Sequence, residues 1–306
     1  METRDKISIV IPYCNRSNWL PRTLDSLRKI VYRPIALIFV DNLSTDNSRA
    51  LVEAFKENYE TSDFSIRLID EPHQGASAAR NAGLKLVDST FVYFFDSDDE
   101  ISPEYFNDAL PYLKDADIVA CATKMHFADG RNKVRKVFYN GSVSDQILVG
   151  QLSTQGMLIR TEFLRNAGGW NSKLPLWNDW ELGARLLKLE PRIFWLTKHY
   201  HYIMQHADSL TGSNRKSNLS SYLSAFSAVE DIALTPAEQE TIQARKVILS
   251  AELAREKAYK EANELQASIP KQSIALRLLY LYARFIHRGS WWIYRFYATS
   301  KYGREY

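Results

Sequence analysis

The sequence predicts an α/β protein with a mostly parallel sheet, helices on both faces and a helical C-terminal extension. Two observations predict it. Short apolar runs alternate with helix-period segments as far as residue 121, a β-α-β-α rhythm that parallel sheets require. Three of those runs also end in polar clusters, where a parallel sheet places its ligand site, beyond the carboxyl ends of its strands.

The elements follow in order. Lys6–Pro12 (KISIVIP) reads as a buried strand and Ser17–Ile30 as a helix. Ala36–Val40 is a second strand, and Ser44-Thr45-Asp46 supplies capping side chains for a helix running to about Tyr59. Ser65–Ile69 is a third strand, and Gly75 opens a small-residue helix over Ala76–Leu86. Thr90–Phe95 is the fourth strand, a helix follows Pro103, and Asp117–Ala120 is the fifth strand. The rhythm then breaks. His126–Tyr139, with Asp129-Gly130 at its centre, reads as a hairpin. Gly156–Arg160 is a strand, Glu162–Ala167 a helical turn, Gly168-Gly169-Trp170 a tight turn and Trp177–Leu189 a helix. Arg192–Leu196 and His199–Gln205 are further strands. Pro236–Ser268, charged and alanine-rich, reads as one long exposed helix.

Bulk properties narrow the classes. Apolar residues make up 45% and charged residues 25%, which suits a globular chain with a sizeable core. A net charge of +3 is too small to argue for nucleic acid. Cys14 and Cys121 lack metal-type spacing and fit a reducing compartment. The start, METRDKISIVIPY, lacks the form of a signal peptide, and no stretch reaches the roughly 18 apolar residues of a membrane span. These features predict a cytoplasmic protein.

The densest chemistry lies in VYFFDSDDE, residues 92–100. Like charges so close together repel unless water, a cation or a cationic partner offsets them. In extended backbone Asp96 and Asp98 would share one side of the strand. An oxygen-only pair of this kind suits Mg²⁺ or Mn²⁺ with substrate phosphate completing the shell. Asp99 and Glu100 read as surface charges at the next turn.

Five motifs in order carry a family resemblance: SIVIPYCNR (8–16), FVDNLSTDNS (39–48), HQGASAARNAG (73–83), YFFDSDDE (93–100) and NDWELGARL (178–186). Over about residues 5–212 the chain resembles the family 2 inverting glycosyltransferases with the GT-A fold. The resemblance implies a GT-A domain over 1–215, with a nucleotide-binding half to about 121 and an acceptor half over 122–215. A helical extension would occupy 216–306. It also implies a nucleotide-diphospho-sugar donor, UDP favoured, and a saccharide or lipid-linked saccharide acceptor in surface polysaccharide synthesis.

Roles carry over residue by residue. Pro12 and Tyr13 would line the base, and Asp41 would accept its imide N–H; capping the next turn is the alternative for Asp41. Arg80 would brace the base or the acidic cluster. Asp96 would address the ribose and the metal's water shell, Asp98 would bind the metal, and His206 would complete that site. Asp179 would be the general base, although Asn178 stands where the family commonly has a second acid; capping its own helix is the alternative. Glu181 and Arg185 read as a supporting ion pair. Trp170, Trp177 and Trp180 read as acceptor platforms or as core.

Residues 273–306 combine aromatics with Arg277, Arg284, Arg288 and Arg295 on one helical stripe and almost no acid. That composition predicts contact with an anionic membrane surface on the inner face, or packing against the protein or a second copy. Two rival functions stand against the transferase. A sugar-phosphate nucleotidyltransferase would need an N-terminal Gly-rich loop, which IPYCNRSNW lacks. A non-catalytic sugar-nucleotide or membrane-binding module would have no use for Asp96, Asp98 and Asp179 together.

Overall fold

The structure, a computed structural model, describes residues 5–127, 130–134, 141–205, 215–270, 273–285, 293 and 297. His206, Arg288 and Arg295 therefore lie outside the described residues, as do Trp291 and Trp292.

The N-terminal part alternates as its apolar runs dictate: β1 (Ile7–Tyr13), α1 (Leu20–Arg28), β2 (Ile35–Asp41), α2 (Ser48–Tyr59), β3 (Phe64–Asp70), α3 (Ala76–Lys85) and β4 (Phe91–Phe94). After the short β5 (Glu100–Ile101) come α4 (Tyr105–Ala109), β6 (Ile118–Cys121), and the hairpin strands β7 (Lys124–Phe127) and β8 (Asn132–Val134). Next are α5 (Val143–Val149), β9 (Met157–Arg160), α6 (Thr161–Asn166), α7 (Asn178–Leu187), β10 (Ile193–Leu196) and β11 (His201–Gln205). Four helices close the described chain: α8 (Leu219–Glu230), α9 (Pro236–Arg255), α10 (Tyr259–Ala267) and α11 (Ile274–Phe285).

Seven strands form the main sheet in the order β10-β6-β9-β4-β1-β2-β3. All its pairings are parallel except the two made by β9, which runs antiparallel between β4 and β6. A smaller sheet, β5-β11-β7-β8, stands beside it. The chain runs outward from β1 through β2 to β3, then returns to the other side of β1 as β4. The topological switch point therefore falls between β1 and β4.

Period-two alternation divides the core between the two faces of this sheet. Ile9, Ile11, Leu37, Phe39, Tyr93 and Phe95 face one layer, and Val10, Ile38, Val40, Val92 and Phe94 face the other. Each such burial contributes about 2 kcal/mol. The small residues of α3 let it lie close on β1; a Cβ at Gly83 would sit 2.4 Å from Cγ1 of Val10. Gly75 starts that helix at φ 135°, a conformation side chains disfavour.

The C-terminal region differs from its expectation. Pro236–Ser268 is two helices, broken near Lys257 at φ 62°, and α9 is mostly buried. Ile242, Leu249 and Leu253 face the sheet's core, while Ala244, Val247, Ile248 and Ala251 pack toward α11. Apolar contacts on two sides, from small and large residues interspersed with charges, disguise a central helix as a charged surface one. The same core runs from Val10 to Leu265, across the 215/216 division expected from sequence.

Candidate active site

The carboxyl ends of β1 and β2 lie in register, Tyr13 opposite Asp41, and Phe95 donates its N–H to Val10 at 3.0 Å. Three polar clusters from separate strands thus gather at the switch point. Side chains tie their loops together. Asn15 Oδ1 accepts the N–H of Thr45 at 2.8 Å, and Asn42 Nδ2 donates to the carbonyls of Glu71 and His73. Asn42 Oδ1 in turn accepts the Gly75 N–H at 2.7 Å, which fixes the start of α3.

Asp41 is buried, and its Oδ1 accepts the Ser44 N–H at 2.9 Å, so the carboxylate does cap the following turn. Arg49 lies 3.9 Å from the other oxygen, Oδ2. Pro12 is buried in β1. Tyr13, read from sequence as a surface for the base, packs edge-on against Phe39 and is 2% exposed. It stays in strand register, so alternation carries its ring onto the same buried face as Ile9 and Ile11. Burial first, then the Asp41 charge, holds its hydroxyl well above the usual pKa.

The acidic run is a turn rather than extended backbone, so period-two alternation does not set Asp96 and Asp98 side by side. Their partners separate them. Arg80 Nη2 donates to Asp96 Oδ1 at 2.7 Å, and Gln155 Nε2 donates to Asp96 Oδ2 at 2.5 Å. Asp98 Oδ2 lies 3.4 Å from Nε of Arg16. Asp99 is no surface charge: it is 3% exposed and accepts from Gln155 Nε2 at 2.6 Å and from the Met204 N–H at 2.9 Å. Burial, then the charges of Asp98 and Asp96, push its carboxyl well above the usual range, against the pull of the Met204 N–H. Glu100, at the start of β5, pairs with Arg22 at 3.0 Å.

Arg80 connects this cluster to the candidate base. Its guanidinium lies over the Trp170 ring at 4.4 Å from the centroid, and Nη1 donates to Asn178 Oδ1 at 3.3 Å. Asp179 is the next residue, part-exposed in the first turn of α7. The cap position belongs to Trp177, which makes no side-chain cap bond, while Asp179 Oδ1 accepts the Trp180 N–H at 2.9 Å, so this carboxylate does serve the first turn of its own helix. Trp177 holds φ 56°, a left-handed conformation that costs a bulky residue of order 1 kcal/mol. Glu181 and Arg185 form the expected pair at 2.7 Å, and Arg185 Nη2 also donates to the Gly169 carbonyl at 2.8 Å.

The tryptophans are mainly structural. Trp170 meets Phe94 edge-on at 5.2 Å, and Trp180 donates from Nε1 to the Ile147 carbonyl at 3.0 Å. Both are buried, so neither offers a sugar a free face. Trp177 is part-buried, tilted against Tyr222 at 4.6 Å, with the Arg245 guanidinium 4.7 Å from its centroid. Sequence reasoning missed Gln155 altogether and gave Asp99 no role.

Among the described residues no group of three or more His, Cys, Asp or Glu gathers as a metal cage. A single carboxylate still fits Mg²⁺ or Mn²⁺, which commonly bind proteins through one or two carboxylates and take their other ligands from water and substrate phosphates. Asp98, paired with Arg16 through Oδ2 at 3.4 Å, would be the residue to hold such an ion, because both oxygens of Asp96 carry donors.

Residues 8–168, more than half of the chain, match the family model Glycosyl transferase family 2. Among similar curated proteins, the uncharacterised glycosyltransferase YibD of Escherichia coli K12 is 26% identical over 54% of this chain and 44% of its own length. The teichoic acid poly(glycerol phosphate) polymerase of Staphylococcus epidermidis is 25% identical over 60% of this chain and 26% of its own. The matched region thus spans less than half of either relative. Among solved structures, S. aureus TarS 1–349 in complex with UDP-GlcNAc aligns with TM-score 0.67 at 21% identity, covering 98% of this chain and 93% of that one. The mannosyltransferase PcManGT of Pyrobaculum calidifontis, in complex with GDP-Man and Mn²⁺, aligns with TM-score 0.62 at 16% identity, covering 97% and 84%. At these identities the likeness is one of fold, and the fold is GT-A.

Proposed function

This chain belongs to glycosyl transferase family 2, and on that premise we propose that it transfers a sugar, with inversion, from a UDP-linked donor to a hydroxyl of a saccharide or lipid-linked saccharide in cell-surface polysaccharide synthesis. One observation carries the reading. The Arg80 guanidinium holds Asp96 with one nitrogen and Asn178, the neighbour of Asp179, with another. A single buried cation therefore joins the acidic loop to the start of the helix bearing the base.

Asp41, at the end of β2, accepts the imide N–H of the uracil through the oxygen that Ser44 leaves free. Asp96, fixed by Arg80 and Gln155, orients the ribose. Asp98 would hold a divalent cation, which would supply positive charge to the departing diphosphate when bound. Asp179 takes the proton from the acceptor hydroxyl as its oxygen bonds to the anomeric carbon. The bond from that carbon to the diphosphate oxygen breaks, and its electron pair leaves with UDP. No covalent enzyme intermediate is needed. The fit of TarS to a UDP-sugar and of PcManGT to Mn²⁺, both on this fold, supports the class of donor and ion.

The C-terminal part supports a membrane-borne acceptor. No helix among the described residues is long and apolar enough to cross a membrane. On α11, however, Leu276, Leu279 and Ala283 are buried, while Ile274, Leu278, Leu281 and Phe285 stand 50–77% exposed. Arg277 and Arg284 run along one side of that outer stripe, and acid is nearly absent from 273–306. An apolar stripe beside a row of cations suits an anionic lipid surface. Leu278→Glu with Phe285→Glu should abolish flotation with anionic liposomes while leaving the inner face of α11 intact. Unchanged flotation would remove the membrane from the reading.

The deciding experiment is calorimetric titration with UDP, GDP, CMP and dTDP, with and without Mn²⁺. The expected result is UDP binding that depends on Mn²⁺ and vanishes in Asp98→Ala. Binding of none of the four nucleotides would overturn the proposal.

A further inference from the structure

Resting on the reading of a UDP-sugar site, we infer that Gln155 is a positioning residue: its side-chain amide locks the acidic loop in place and closes a polar chain across five segments. The chain begins at Asn178 on α7 and passes through Arg80 to Asp96. The Gln155 amide carries it on to Asp99, and Asp99 ends it on the backbone of Met204 in β11. Beyond Met204 the sequence leads to His206, the residue that the family resemblance places at the metal.

The geometry asks for an amide here. Nε2 reaches Asp96 Oδ2 at 2.5 Å and Asp99 Oδ2 at 2.6 Å, so its two N–H groups serve two carboxylates at once. Gln155 is 4% exposed, and its backbone carbonyl accepts the Tyr93 hydroxyl at 3.0 Å, which ties the residue to β4. Asp99 is enclosed and depends on protein donors, and the part-exposed Asp96 turns its second oxygen toward the amide. Asp98 stands between them in sequence, so its placement depends on both anchors. An oxygen in place of the Nε2 donor would set three acceptors against one another at hydrogen-bonding distance.

The test is a pair of variants with a polarity swap. Gln155→Glu keeps the shape and removes both donors. Adding Asp99→Asn restores one, because the amide introduced at position 99 can donate to the carboxylate introduced at position 155. Hydrogen bonds to charged groups are worth about 1.5–3 kcal/mol, so Gln155→Glu should weaken Mn²⁺-dependent UDP binding roughly tenfold to a hundredfold. The double variant should recover most of that loss, and donor KM should rise more than kcat falls. Circular dichroism and the melting midpoint separate this from plain unfolding. If Gln155→Glu does not fold, Gln155→Met, which removes the donors without adding charge, takes its place in the titration. Wild-type UDP affinity in the folded single variant overturns the inference and leaves the transferase reading standing. A lower melting midpoint with unchanged KM, or no recovery in the double variant, also overturns it. Failure of the wild-type protein to bind UDP would sink the transferase reading, and this inference with it.

Discussion

Asp179 and His201 show how one local environment decides what a titratable residue does. Asp179 is part-exposed in the first turn of α7, beside the asparagine that Arg80 holds. Asp179→Asn keeps the shape and loses the proton acceptor, so kcat should fall by about 10²–10⁴ while the Kd for UDP with Mn²⁺ stays as in wild type. Steady-state kinetics beside calorimetry checks this, and an equal fall in UDP affinity would assign Asp179 to donor binding instead. His201 is the opposite case. It is fully buried, its Nδ1 lies 2.9 Å from the Tyr93 hydroxyl, and Nε2 has no hydrogen-bond partner among the described residues. Burial drives its pKa down to about 3, against about 6.5 when exposed. Between those values the unfolded chain binds a proton that the folded chain refuses. The His201 contribution is therefore complete above pH ~6.5 and is lost at about 1.4 kcal/mol per unit as pH falls toward 3. Denaturant titrations between about pH 6 and pH 4 should show a shallower decline in His201→Phe than in wild type. Parallel slopes would mean that the ring is protonated in the folded state.

Helix α3 shows how an element's packing reaches the site. Gly83 meets Val10 across the helix–sheet contact, and Arg80 lies one turn earlier on the same buried face. Gly83→Ala adds a methyl group where a well-packed core has no room, so it should cost about 1–3 kcal/mol despite alanine's better helix propensity. The same displacement should loosen Arg80 from Asp96 and weaken UDP binding, whereas a gain in melting temperature would show that α3 has slack. This element was legible from its sequence: small residues after a glycine, at helical spacing, following a strand. So were β1, β2 and β4, whose apolar runs could only be buried strands, the alternating edge strand β3, and the hairpin around Gly130. Three features were not legible. Gln155 lies 59 residues from Asp96, and only the antiparallel return through β9 brings it to the acidic turn. Trp170 was visible as a large aromatic, but its two neighbours, Phe94 and Arg80, are tertiary facts that turn a sugar platform into a support. Asp99 looked like a surface charge because four acids in a short run ordinarily are; nothing local reports the Met204 N–H that meets it.

The largest consequence concerns where the protein can be divided. The family resemblance ends near residue 212, yet the core runs on to Leu265. Leu182 and Leu186 of α7 share one cluster with Tyr222, Phe226 and Leu249 from beyond the division. Trp177, the cap of the helix carrying Asp179, touches Tyr222 at 4.6 Å and Phe226 at 5.6 Å. Lys188 at the other end of α7 pairs with Glu238 of α9 at 3.1 Å, where Thr235 and Glu238 form a reciprocal capping box. The C-terminal helices are thus the floor on which α7 rests. A fragment ending at residue 215 would expose that apolar face of α7 and lose its supports together, at about 2–5 kcal/mol for each large side chain left against a void. Against a total stability of order 5–15 kcal/mol, that loss is too large for independent folding. The fragment 1–215 should therefore show no cooperative thermal transition and no binding of UDP with Mn²⁺, while the full chain shows both. A sharp melting transition in the fragment, with UDP affinity preserved, would instead make the C-terminal helices a separable appendage. The acceptor machinery would then have to be sought within the first 215 residues alone.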